Sequence, residues 1–346
     1  MNVWHLFPKD NKQIADHVAM LRNNEDQPSG TVDIVHVHGC WDYNILRQAA
    51  RAHRDGARIV MSPHGELEPW VKSEQPATKK AGNVQLLQRL MVKRSYVLIA
   101  HGPMETEALG NLNWNPRIET IRNAVFTNSI TPEAMKQHTM EVYRKVMDSY
   151  TLALMDDNCQ KLLTMLLKAG ITGDIRWLGG MEPPTIEQAG WRQLLVYADH
   201  ENIRTTVDRG AHVLGIKAPY IETAKIKSYL PTDYTLPKVE NHSIEGIVSE
   251  MKHGPLTMRQ MVELDNALRK PTVNDEEITD ILTEKRLIKY FQHILQLLRE
   301  TTLIDEGFLP VKAISDKQTA KLKKQLKHLI KIFSFLNHSL DRKSTR

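Results

Sequence analysis

The stretch from Asp33 to Gly65, DIVHVHGCWDYNILRQAARAHRDGARIVMSPHG, limits what this chain can fold into more than any other. It opens on a β-branched run, Ile34-Val35-His36-Val37-His38. A helical segment follows from about Asn44 to Arg54, then a second strand over Ala57 to Ser62. Strand, helix and strand within about thirty residues is the length of one βαβ unit. Ligands of such units sit outside the carboxyl ends of the strands. Both ends here carry histidine followed by glycine, His38-Gly39 and His64-Gly65, so imidazoles stand beside backbone that a ligand can approach closely.

The same reading extends along the first third of the chain. Strand-like runs fall at 3–7, 33–38, 57–62, 96–100 and 117–121, joined by helical or helix-containing connections. Laid side by side in sequence order with right-handed crossovers, they put every connecting helix on one face. A parallel sheet is normally buried on both faces, so the bare face needs a cover from beyond residue 130. Thr131-Pro132-Glu133 is a strong helix start, with an N-cap threonine, proline in the first turn and a carboxylate near the positive end of the dipole. Its stripe of Val142, Val146 and Tyr150, with the helices that follow as far as 215, is the expected cover.

Beyond it, helical patterns run near 157–168, 187–201, 203–214, 220–229, 257–269, 275–285 and 287–301, and strand-like runs are nearly missing. Asn274 with Glu277 has the form of a capping box. Glu66 to Asn83, with its Pro, Lys and Gly residues, reads as a loop. The expected architecture is α/β: a Rossmann-like parallel sheet (1–128), then a mainly α-helical region (129–310) and a basic amphipathic carboxyl-terminal helix or tail (311–346).

Charge separates the tail from the body. The whole chain carries a net +5, but residues 311–346 hold ten Lys/Arg against two Asp/Glu, leaving about −3 for the rest. A basic tail on a near-neutral body is not a uniformly basic nucleic-acid binder. From Lys317 to Leu340, Leu322, Leu326, Leu329, Ile330, Phe333 and Leu336 form an apolar stripe among lysines. It suits packing on the body with a solvated basic face, or an anionic membrane surface. Two cysteines, Cys40 and Cys159, give neither a disulfide framework nor a zinc spacing. The start lacks a signal-peptide pattern and no window is apolar enough for a membrane span. The expectation is a cytoplasmic protein, with a peripheral place at the inner membrane face through 317–340 as its finer form.

His36 and His38 share one strand face. With His5, His64 and His101 at or near neighbouring strand ends, they make a polar ligand-binding edge, a metal site or a wet sheet end. HxH is a permissive spacing and no carboxylate follows at a defined interval except Asp42, so no metal is expected.

HVHGCW followed by SPHGELEPW, VLIAHGPMETEAL and RIETIRNAV resembles, in that order, the amino-terminal domain of family 4-type glycosyltransferases, the retaining nucleotide-sugar-dependent enzymes of the GT-B fold. The resemblance covers residues 1–128. It implies hexosyl transfer from a nucleotide-sugar to a glycan or lipid-linked acceptor in surface polysaccharide assembly, with no cofactor beyond the donor. It implies His64 as the residue beside the reacting carbon, and His38, Gly39, Gly65, Glu66, His101, Glu107 and Asn123 as substrate-binding.

The chain also departs from that family. Pro8-Lys9-Asp10-Asn11-Lys12 stands where the family has a glycine-rich loop, and Arg122 and Ala124 stand for its usual proline and glycine. Glu276 and Glu284 have the spacing of the family's donor-site pair, but NDEEITDILTEKR reads as a solvated helix face. Two readings follow. One is a transferase that needs a partner for its donor site; the other is a non-catalytic scaffold whose helical half binds a protein. Nucleic acid is not an expected partner.

Overall fold

All five residues of the strand Ile34–His38 are buried, as are all five of Arg58–Ser62, so the sheet that holds them is covered on both sides. A computed structural model describes residues 1–22, 30–74, 82–229, 243–271 and 273–328 of the chain. The strands β1 (Val3–Leu6), β2 (Ile34–His38), β3 (Arg58–Ser62), β4 (Val97–Ala100) and β5 (Ile118–Thr120) form one parallel sheet in sequence order. Register pairs His5 with His36 and His38 with Ser62. The chain is α/β, with this sheet followed by a mainly helical region, as expected.

Two compact units divide the chain. The first is Met1–Ser149 together with the described residues 226–229, and therefore runs past the expected boundary at 128. On one sheet face, Val35, Val37, Ile59, Met61 and Leu98 pack against α2 (Tyr43–Arg54), α4 (Gly82–Arg94) and α5 (Pro103–Leu112). On the other face, Ile34, Val60, Val97 and Ile99 pack against Leu21 of α1 (Lys12–Leu21) and against Met135, Val142 and Val146 of α6 (Pro132–Met147). α6 starts as the sequence predicts, with the Thr131 hydroxyl accepting the Ala134 N–H at 3.2 Å and Pro132 in the first turn.

The position of α1 corrects one expectation. It lies on the face of α6, opposite α2, so the β1–α1–β2 connection has the other hand from β2–α2–β3. With α6 as the only cover, half of a sheet face of Ile34, Val60 and several histidines would be bare; the stripe of Ile14, His17, Val18 and Leu21 fills that half. Glu66 to Asn83 is also less of a loop than expected: Pro69–Glu74 forms the short helix α3, while 75–81 lies outside the described residues.

Of the helices expected on the sheet up to 215, only α6 packs there; Tyr150 and the helices after it pack in a second core, in the unit that comprises Tyr150–Lys225 and the described residues from 243 on. Its helices are α7 (Asp157–Thr172), α8 (Gln188–His200), α9 (Arg204–Val213), α10 (Ile244–His253), α11 (Met258–Leu268), α12 (Asp275–Glu284), α13 (Ile288–Thr301) and α14 (Lys317–His328). α7 and α9 touch backbone to backbone. A Cβ on Gly170 would sit 2.0 Å from the Thr206 carbonyl oxygen, and one on Gly210 1.9 Å from that of Leu166.

The pattern read at 220–229 is not a helix; only a single 3-10 turn forms at Thr223–Lys225. The capping box belongs to Thr257 and Gln260, while Asn274 caps α12 by accepting from the N–H groups of Glu276 and Glu277. α14 packs on the unit through Leu322 and Leu326 rather than standing apart as a tail; residues 329–346 lie outside the described residues. No described helix is long and apolar enough to cross a membrane.

Candidate functional site

Alternation along β2 sends Val35 and Val37 to one face and His36 and His38 to the other. β1 adds His5 to the histidine face; the turn after β3 adds His64 and the end of β4 adds His101. His17 comes down from α1 onto the same patch. Its ring centroid lies 5.6 Å from His38, 5.0 Å from His64 and 4.8 Å from His101. The rings of His36 and His38 are 3.9 Å apart, and those of His64 and His101 4.4 Å. Six of the chain's fifteen histidines thus form one cluster under α1 and α6. The sequence placed five of them on an outer rim; the structure puts His36 and His38 wholly inside, at 0 % exposure, because α1 roofs them.

The cluster is hydrogen-bonded in a chain. His5 Nδ1 lies 3.0 Å from His38 Nε2, and His38 Nδ1 lies 3.2 Å from His64 Nε2. His36 holds the Tyr143 hydroxyl at 2.6 Å on Nδ1 and the Ser62 hydroxyl at 2.9 Å on Nε2. The Nδ1–H of His101 donates to the Ile121 carbonyl at 3.0 Å, which leaves Nε2 as a bare lone pair in the neutral ring. That Nε2 is buried without a partner, as are His17 Nδ1 and Asn123 Nδ2.

Burial favours the neutral rings. It brings His5 down to about 3, helped by Arg22 and His17. It brings His17 to about 4, helped by His101 and opposed by the nearby Asn123 side chain, which closes no hydrogen bond to Nδ1. His101 falls to about 4 by burial. His36, His38 and His64 lie well below the ordinary imidazole range, first through burial and then through the neighbouring rings.

Two carboxylates brace the strand ends. Glu105, on the first turn of α5, accepts the Gly65 N–H and the His101 N–H at 2.7 Å each, so one side chain ties the ends of β3 and β4. Burial pushes its carboxyl up, and the two N–H donors hold it back. An acid in the first turn of a helix ordinarily answers the helix dipole; Glu105 instead braces two strand ends. Glu66 does the same between β2 and β3, accepting the Cys40 N–H at 2.7 Å, while its carbonyl accepts the Trp41 indole N–H at 3.0 Å.

The turn they brace is strained. His64 has φ +53°, a region that costs a non-glycine side chain, and Gly65 follows at +78°. His64, Gly65, His101, Gly102 and Glu105 line an open cavity of about 350 Å³, together with Asn11, Ile14, Met104 and Phe126. His64, read as the residue beside the reacting carbon, lines this cavity with Gly65 and His101 of the residues read as substrate-binding. His38 lies beneath it, and Gly39 is buried under Pro8 and Ile14. Glu66 lines a neighbouring cavity of about 370 Å³ with Pro8, Asn11 and Trp41. Glu107 is exposed and lines neither. Asn123 is buried beside His17, its Oδ1 accepting the Val125 N–H at 3.0 Å. His17 escaped the sequence reading because nothing in a helix preceding β2 says which sheet face it will cover.

No protein-family model, curated protein or solved structure matches the chain.

Proposed function

We propose that this chain is a glycosyltransferase-related protein of family 4 type, which binds a nucleotide-activated sugar in the cavity at the carboxyl ends of β3 and β4. Its reaction is retaining transfer to a glycan or lipid-linked acceptor in surface polysaccharide assembly, on the cytoplasmic side. The observation that carries the reading is the strained His64-Gly65 turn, held open to that cavity by Glu105. Strain of this kind persists where the surroundings over-determine it, and it clusters at binding sites. His64 orients the sugar, and His101 with the Gly65 and Gly102 backbone closes the wall.

The donor's second wall is the part this chain lacks among its described residues, where the one sheet is β1–β5. A partner chain supplies it, docking on the helical half. That same observation favours a second reading, a non-catalytic scaffold whose helices bind a protein. α14 presents lysines around Leu322 and Leu326, which suits a peripheral place on an anionic inner membrane face.

Thermal unfolding of the full chain with UDP- and GDP-sugars, in the presence of chelator, separates the readings. Ligand at about 100 times its dissociation constant stabilises by about 2.7 kcal/mol. The transferase reading expects a rise in midpoint that His64→Ala abolishes; no rise with any sugar-nucleotide leaves the scaffold.

A further inference from the structure

The cluster holds more imidazole nitrogen than its hydrogen bonds use. A purely structural histidine network closes its donors and acceptors on each other, because a buried polar atom left open is costly. Here His36 is closed on both sides by Tyr143 and Ser62. The open atoms, His17 Nδ1, His101 Nε2 and Asn123 Nδ2, belong to neighbours: the rings of His17 and His101 lie 4.8 Å apart, Asn123 is beside His17, and His101 lines the cavity.

The geometry points to a divalent transition-metal site of the Zn2+ class, with His17, His38 and His64 as ligands and His101 at its edge. One nitrogen from each of the three rings lies within 4.8 Å of the other two. A tetrahedral ion with Zn–N of about 2.0–2.1 Å sets its ligand nitrogens about 3.3 Å apart. The His38 Nδ1 to His64 Nε2 separation of 3.2 Å already has that value, so only His17 must close in. Each bond is a lone-pair donation from a neutral ring: His38 keeps its proton on Nε2, towards His5 Nδ1, and the His64 proton that bridges from Nε2 to His38 Nδ1 passes to His64 Nδ1, freeing both facing nitrogens.

The surrounding bonds are those that ligand histidines use. His38 turns its other nitrogen to His5 Nδ1, and His101 donates Nδ1–H to a backbone carbonyl, leaving Nε2 aimed inward. A donor set of imidazoles without thiolate or carboxylate selects zinc, copper, nickel or cobalt over magnesium and calcium. Three neutral ligands leave the ion's charge uncancelled, so the fourth position takes an anion or a polarised water. Asn123 Nδ2 is the donor placed to hold it. Glu105 and Glu68, on the cavity wall, draw the cation in. The site shares His64 and His101 with the cavity of the transferase reading, but its occupation needs no sugar-nucleotide.

The test uses the untagged full-length chain, stripped with chelator and titrated with Co2+, whose visible spectrum reports coordination number. The expected result is uptake of one equivalent with the strong bands of a four- or five-coordinate ion, displaced by Zn2+. His64→Ala and His101→Ala should each weaken uptake by about tenfold or more, while the exposed His138→Ala binds as the parent does. Circular dichroism checks that the variants fold, and His64→Gln replaces His64→Ala if that one does not. No stoichiometric uptake by the parent, a pale six-coordinate spectrum, or uptake undiminished in the folded His64 and His101 variants overturns the site. Because nucleotide-sugar binding is measured in chelator, its failure leaves this result untouched.

Discussion

The Tyr143 hydroxyl of α6 lies 2.6 Å from Nδ1 of His36 at the centre of β2, joining two residues 107 positions apart in the chain. Both side chains are buried, and the bond anchors the helix that covers the histidine face. Tyr143→Phe keeps the ring and leaves His36 Nδ1 open in the core. An unsatisfied buried donor or acceptor costs about 1–3 kcal/mol. Urea denaturation should show a loss of that size at an unchanged slope; a loss near zero would mean that water replaces the hydroxyl.

Glu105 carries two backbone N–H bonds, so its removal loosens two strand ends at once. Glu105→Ala should cost more than Tyr143→Phe, since bonds to a charged acceptor contribute about 1.5–3 kcal/mol each. Faster amide exchange at Gly65 and His101 is the local signature. Unchanged exchange there would show that the turn holds itself.

The helical unit has its own weak point where α7 meets α9. Gly210→Ala places a methyl inside contact distance of the Leu166 carbonyl, and backbone cannot swing aside as a side chain does. Overpacking costs about 1–3 kcal/mol, occasionally more, and this contact belongs at the upper end. Gly170→Ala should behave alike, and the double variant should lose less than the sum because the first change already parts the helices.

Acid should unfold the sheet unit through its histidines. Above about pH 6.5 the rings are neutral in both folded and unfolded chains, and they contribute no slope. Below it the unfolded chain takes up protons that the buried rings refuse, so stability falls as pH falls. The fall continues to about 4, where His17 and His101 begin to charge in the folded state. Each such group removes up to about 1.4 kcal/mol per pH unit. Set against a typical 5–15 kcal/mol, several together predict loss of the sheet unit between pH 6 and 4 in chelator. A thermal midpoint flat across that range would contradict the burial.

Much of the fold could be read from local chemistry. The β-branched runs at Ile34 and Arg58, the Thr131-Pro132 start and the helical pattern near 187–201, now α8, all carry their own signals, and each formed as read. α10 went unread because Gly246 interrupts a ten-residue segment, although Ser243 caps it, Glu245 opens it and Ile244, Ile247, Val248 and Met251 line its buried face. The side of the sheet taken by α1 is not a local property, since it depends on crossover hand. That one choice turns a supposed rim of histidines into an interior. The His64-Gly65 turn was legible as a ligand-side strand end; the roles of His17, Tyr143 and Glu105 were not, because each acts on a partner far along the chain or across a strand gap.

Six imidazoles share one neutral cluster at the carboxyl ends of the sheet, with His5, His17, His36 and His38 buried and His64 and His101 half-buried. Long-range 1H–15N NMR of the histidine rings, recorded in chelator from pH 8 down to 5.5 with a reference peptide, tests it most directly. The account predicts six rings fixed in neutral tautomers across that range, with His101 protonated on Nδ1. Six rings that gain protons together with the reference peptide would contradict it.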